Sequence, residues 1–158
     1  MGLQNLEQQA LDEKDSEGLK VGIVIAQFNK SIADSMHLAC VDQLVTLGVR
    51  PDDIANVEVP GALEIPIVLD AMAKAGNFDT LVALGSVIRG ETYHFEIVAN
   101  ESARGILEVQ LNSGTPIANG ILTCENIDQV LERMEQKSKE CANVAVGMVS
   151  LLDKIYER

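Results

Sequence analysis

The chain has 158 residues, 47% of them hydrophobic, and reads as one domain large enough to bury a core, with no apolar run approaching membrane-spanning length. Acidic residues outnumber basic ones by 24 to 12, and the resulting charge of -12 repels nucleic-acid phosphates and anionic membranes, so neither is expected as a partner. The three cysteines, Cys40, Cys124 and Cys141, are odd in number and lack CxxC or Cys/His spacing, which argues against a disulfide framework or a metal site.

Residues 1–18 are polar, rich in Gln, Glu and Asp and without sustained periodicity; they are expected to form a loosely held arm before a single domain over 19–158. No basic, apolar signal segment opens the chain, so the expected location is cytoplasmic. Leu19 to Ala26 is nearly continuously apolar and β-branched, the pattern of a parallel strand covered on both faces. Ser31 is placed to cap a helix carrying Ile32, Met36, Cys40, Leu44 and Leu47 and ending at Gly48.

A second strand is expected over Ile54 to Val59, and Pro60-Gly61 then opens a helix with Ile65, Leu69, Met72 and Ala73 inward, closed by Gly76-Asn77. The third strand is Thr80 to Leu84. A third helix is expected from about Thr92 to Leu111, burying Phe95, Val98, Ile106 and Val109. A fourth strand runs from Thr115 to Leu122, with Pro116 near its start. From Asn126 onward, apolar residues keep helical spacing, as one long helix or two in tandem. Strand and helix alternate without a hairpin, which predicts an α/β fold: a three-layer α/β/α sandwich around a four-stranded parallel sheet, flavodoxin-like.

In such a sheet the loops after all four strands emerge on one edge, the usual place for a site. That edge gathers Phe28 and Asn29, Gly61 to Glu64, Ser86 to His94, and the Thr123 to Asn126 segment leading to Arg133. Each has a plain structural reading: Phe28 as a helix staple, Glu64 as a complement to a helix dipole, Arg133 as part of a solvated face, His94 as a hydrogen-bonded structural residue. Their convergence favours a site, because an imidazole with an unperturbed pKa near ~6.5 exchanges protons at neutral pH and a helix start beside it suits an anion. The loop after strand one lacks a phosphate-cradling glycine, strand three lacks a phospho-accepting aspartate, and no GxGxxG or Walker loop is present.

Four segments, GIVIAQFN (22–29), VPGALEIP (59–66), ALGSVIRGETYHFEIVANES (83–102) and NGILTCENIDQVLERMEQK (119–137), together resemble the 6,7-dimethyl-8-ribityllumazine synthase family in order and spacing. The resemblance implies condensation of 5-amino-6-(D-ribitylamino)uracil with 3,4-dihydroxy-2-butanone 4-phosphate, releasing phosphate and water, with no cofactor and no metal. By position it implies that Phe28 stacks on the pyrimidine, that Ala62, Leu63 and Glu64 hold the ribityl chain, and that Ser86, Val87 and Ile88 contact the uracil. Glu91 and Thr92 would present N–H groups to the phosphate, Arg133 would supply its cation from an adjacent subunit, and His94 would transfer protons. The partners implied are these small molecules and further copies of the chain, as a homo-oligomeric pentamer or a multiple of pentamers with sites at subunit interfaces.

Two places depart from the family pattern. Asn119 stands where many members put a phenylalanine over the pyrimidine, and MEQKSKECA replaces a glycine-rich stretch after Arg133, placing Cys141 and Val144 where a lysine and a glutamate are usual. These departures motivate an alternative, a flavin-binding or shell-forming protein of the same fold without turnover. A further alternative is the related archaeal-type riboflavin synthase, which acts on the lumazine alone.

Overall fold

The computed structural model describes residues 16–157, so most of the expected N-terminal arm lies outside the described residues. Four strands, β1 (Val21–Ala26), β2 (Ile54–Val59), β3 (Thr80–Ile88) and β4 (Ile117–Cys124), form one parallel sheet in the order β2-β1-β3-β4. Every residue of β1 is buried, as is all of β3 up to Ile88. That is why Val21–Ala26 and Leu81–Leu84 read as unbroken apolar runs rather than as alternating ones.

Alternate side chains of these strands point to opposite faces of the sheet. On one face Val21, Ile23, Ile25, Val82 and Leu84 pack with Met36, Cys40 and Leu44 of helix α1 (Lys30–Thr46) and with Cys141, Ala142 and Ala145 of helix α4 (Ile127–Tyr156). On the other, Val24, Ala26, Leu81 and Ala83 meet Ile65, Leu69 and Met72 of helix α2 (Ile65–Ala75) and Ile106 and Val109 of helix α3 (His94–Ser113). The result is the three-layer α/β/α architecture expected from the strand and helix alternation.

Local chemistry explains several boundaries that differ from expectation. Asn29, rather than Ser31, caps α1: its Oδ1 accepts from the Ile32 N–H at 3.4 Å, and the Ser31 hydroxyl donates to the same oxygen at 3.1 Å. The third strand continues four residues past Leu84, because Gly85, Ser86, Val87 and Ile88 pair in register with Ile121, Leu122, Thr123 and Cys124. Gly85 and Ser86 are therefore strand, not turn. α3 begins at His94 rather than Thr92, and β4 begins at Ile117 rather than Thr115, since the Pro116 carbonyl accepts from the Leu81 N–H and the Thr80 hydroxyl, both at 3.0 Å. As expected, Gly76 ends α2 in the left-handed region with φ of 74°, where a side chain would be strained.

The C-terminal segment is one helix of 30 residues, roughly 45 Å long. Asn126 caps it by accepting from Gln129 N–H at 3.0 Å, while the Gln129 side chain accepts from Glu125 N–H at 2.8 Å, a reciprocal closure of the helix start. Its small residues permit close packing against β4. A Cβ at Gly120 would stand 2.7 Å from Cys141 Sγ and 2.9 Å from the Ala83 carbonyl oxygen, so the Asn119-Gly120 pair marks a close approach rather than a hairpin. Among the described residues no helix is long and apolar enough to cross a membrane.

Candidate active site

Strand order reverses between β1 and β3, and in open parallel sheets the crevice beyond the carboxyl ends of the strands at such a point is where ligands bind. A cavity of about 260 Å³ lies there, lined by Phe28, Gly61 to Glu64, Ser86 to Ile88, Gly90, Thr92, His94, Phe95 and Val98. Three connections build it, those that follow β1, β2 and β3. Phe28 follows β1; the Ala62–Glu64 turn follows β2; Ser86, Val87 and Ile88 are the last residues of β3; Thr92 and His94 lie at the entry to α3.

Phe28 precedes the cap of α1, where a staple would be buried against the helix. Instead it is 75% exposed at the mouth of the cavity. An apolar ring left in water at a concave site offers a face to a flat ligand. Glu64 ends a 3-10 turn whose first bond is its own N–H to the Gly61 carbonyl at 3.1 Å, so its carboxylate is carried on ordered backbone. Ser86, on a central strand, is 7% exposed and supplies a fixed polar wall. Thr92 Oγ1 accepts from the His94 N–H at 3.4 Å, tying the turn to the first residue of the helix.

The cavity brings together Phe28, Ala62, Leu63, Glu64, Ser86, Val87, Ile88, Thr92 and His94. It does not bring in Glu91, Asn119 or Arg133. Glu91 is exposed on the same turn, outside the cavity lining. Asn119 lies five residues before the end of β4, roughly 16 Å short of the carboxyl edge, where its Oδ1 accepts from Ile121 N–H at 3.0 Å. It lines a separate groove with Lys137, Glu140 and Val144. Arg133, on the second turn of α4, donates to the Gln129 carbonyl at 3.0 Å and pairs with Glu132 at 3.4 Å. Among the described residues, then, no lysine or arginine lines the cavity.

Two lining residues were not expected there. Phe95 and Val98 read as core positions of the third helix, but both are only half-buried and face the ligand space; their position within one turn of His94 is the signal that could have identified them. Gly90 lies in the turn between β3 and α3. Just before it, Arg89 was not singled out at all. Its Nε donates to Glu125 Oε2 at 2.7 Å, its Nη1 donates to Glu96, and its guanidinium lies 4.3 Å from the centroid of the Phe95 ring. The hydrogen bonds from Arg89 hold the Glu96 carboxyl below its ordinary range, and the two carboxylates raise the Arg89 guanidinium further still.

The thiols stand apart from this chemistry. Burial raises Cys40 strongly and pushes Cys141 up to about 11, so both are inert core residues. Among the described residues no group of three His, Cys, Asp or Glu side chains is placed to hold a metal ion.

The site thus offers an exposed ring, a carboxylate acceptor, strand-end backbone, an anion-suited turn and an imidazole within one cavity. The family model for 6,7-dimethyl-8-ribityllumazine synthase matches residues 18–153. A protein of that name from Methylobacillus flagellatus is 54% identical over 141 residues, covering 89% of this chain and 95% of the relative. One from Azoarcus sp. is 52% identical over 138 residues, covering 87% and 88%, and one from Paracidovorax citrulli is 49% identical over 144 residues, covering 91% and 94%. With the parallel sheet, the cavity at its reversal point and identity at this level over most of its length, the chain belongs to the 6,7-dimethyl-8-ribityllumazine synthase family.

Proposed function

We propose that the cavity beyond β1 and β3 is where 5-amino-6-(D-ribitylamino)uracil and 3,4-dihydroxy-2-butanone 4-phosphate are joined, with His94 moving the protons. The chain is a transferase of riboflavin biosynthesis, making 6,7-dimethyl-8-ribityllumazine with release of phosphate and water. The observation that carries the site is the meeting of Phe28, Glu64, Ser86 to Ile88 and His94 around one cavity from three separate connections.

Phe28 stacks on the pyrimidine, face to face. The Ala62–Glu64 turn receives the ribityl chain, with the Glu64 carboxylate accepting from a hydroxyl, and the strand-end N–H and C=O groups of Ser86 to Ile88 pair with the uracil edge. N–H groups of Glu91 and Thr92 face the phosphate. The imidazole of His94 takes and returns protons as the amine and ketone form an imine, as phosphate leaves and as the ring closes. Holding both substrates in one orientation supplies much of the acceleration, up to ~7 to 11 kcal/mol in favourable cases.

The phosphate charge requires a cation, and among the described residues of a single chain none lines the cavity. Arg133 of an adjacent subunit meets that need, with Asn119 from the same neighbour beside the pyrimidine. The assembly is a pentamer or a multiple of pentamers, acting in the cytoplasm. Exposed Leu63, Ile67, Ile97, Leu107 and Leu111 on and beside α2 and α3 supply apolar surface for such contacts.

The test mixes purified protein with both substrates and follows lumazine absorbance and fluorescence. Product above the spontaneous rate is expected; none overturns the assignment. Riboflavin formed from lumazine alone identifies a riboflavin synthase instead, and tight riboflavin binding without turnover identifies a binding protein. His94→Ala should lower kcat by roughly 100-fold, the low end for a lost proton-transfer group. Arg133→Ala should chiefly raise KM for the phosphate-bearing substrate.

A further inference from the structure

We propose that Arg89 is a positioning residue for the condensation: it clamps the turn from Gly90 to Tyr93 at both ends and thereby fixes where Thr92 and His94 face the substrates. This rests on the functional reading of the cavity given above.

Arg89 follows the last residue of β3, and its own N–H donates to the Cys124 carbonyl at 2.9 Å, extending the β3–β4 pairing by one step. The near end of the turn is thus set by the sheet. Its guanidinium then reaches forward to Glu96, the third residue of α3, and sideways to Glu125, the residue before the cap of α4. The same planar group lies over Phe95, whose ring lines the cavity immediately after His94. One side chain therefore ties the end of a central strand, the first turn of α3 and the approach to α4.

Only an arginine does this. A guanidinium donates along two directions in one plane and stacks on an aromatic face, whereas an ammonium is a point charge without a planar fork. Exposed ion pairs contribute little to stability, so a half-exposed arginine committed to two carboxylates and a ring is better explained by placement than by folding. Those carboxylates also offset its charge, and the side chain does not line the cavity. Arg89 is a clamp rather than the phosphate's cation.

The experiment compares wild-type protein with Arg89→Ala and Arg89→Lys, using steady-state kinetics in each substrate, thermal melting, and hydrogen exchange over residues 90–96. Arg89→Ala is expected to lower kcat by about 10- to 100-fold, the cost of a displacement on the scale of an ångström. KM for the pyrimidine should change by less than about 3-fold, because Phe28 and Glu64 sit on other connections, Ser86 is held within the sheet, and the stacking contribution is untouched. Exchange should accelerate over 90–96 and not in β1. The melting temperature should move by less than about 4 °C. Arg89→Lys should recover only part of kcat, and Arg89→Ala combined with Glu96→Gln should cost less than the two losses multiplied.

Unchanged kcat and exchange in Arg89→Ala overturn the proposal. So does a parallel collapse of kcat, melting temperature and exchange protection throughout the sheet, which would make Arg89 merely structural. A wild-type protein without turnover overturns the functional reading instead, and the exchange data then decide by themselves whether Arg89 holds the turn.

Discussion

The backbone N–H of His94 donates to Thr92 Oγ1 at 3.4 Å, so the residue proposed to move protons is indexed by one proposed to face the phosphate. The bond satisfies one of the otherwise unpaired N–H groups at the start of α3. Thr92→Val keeps the shape and removes the acceptor. It is expected to raise KM for the phosphate-bearing substrate by about 2- to 12-fold, the worth of one ordinary hydrogen bond, and Thr92→Ser should restore it. Initial-rate kinetics with that substrate varied will decide.

Phe28 tests the stacking assignment. At 75% exposure it contributes little to folding, so Phe28→Ala should leave stability within about 0.5 kcal/mol. Loss of a stacked ring is expected to raise KM for the pyrimidine by about 5- to 150-fold, by analogy with aromatic stacking on nucleobases. Equal kinetics in the variant would return Phe28 to the status of an idle surface residue.

Gly120 tests the packing of α4 on the sheet. Gly120→Ala introduces a Cβ within 2.7 Å of Cys141 Sγ and 2.9 Å of the Ala83 carbonyl oxygen, an overpacking expected to cost about 1–3 kcal/mol in urea unfolding. Adding Cys141→Ala should recover part of this. Recovery cannot be complete, because the carbonyl belongs to the neighbouring strand and stays where it is.

Cys141 adds a pH dependence. Burial raises the thiol from an ordinary value of 9.0 to about 11 in the folded chain. Between those values the unfolded chain loses a proton that the folded chain keeps, so stability falls as pH rises from about 9 to 11 and is unaffected below. The share due to Cys141 is on the order of 2 kcal/mol at the upper end, and Cys141→Ala should remove that share from a pH series of unfolding curves while leaving the share of Cys40, which burial raises in the same direction. Consistently, Cys40 and Cys141 should resist a thiol reagent at pH 8 in the native protein and react once it is denatured.

The sheet was largely legible because its central strands are covered on both faces and so are mostly apolar, without exception in Val21 to Ala26. The end of β3 was not, because Gly85 and Ser86 carry turn-like preferences that pairing with Ile121 and Leu122 overrides. Ser31 and Asn29 are equally good caps on paper, and only the direction of the chain out of β1 distinguishes them. At the site, residues next to a strand end could be found from the strand end. Arg89 could not, since its meaning lies in Glu96 and Glu125, one of them 36 residues away and neither related to it by any period. Phe95 and Val98 were seen but assigned inward, because a helix face turned to a ligand and one turned to a core carry the same residues.

The cavity lining without a lysine or arginine has a consequence for how the enzyme responds to its own abundance. On the proposed reading, an uncharged pyrimidine would find its ring, its carboxylate and its strand edge on a lone subunit, whereas a phosphate monoester would find its countercharge only where another copy is present. Dilution would then separate the two substrates: the first would still be held as subunits part, and the second would be released. Turnover per subunit would then be a property of the population rather than of the molecule.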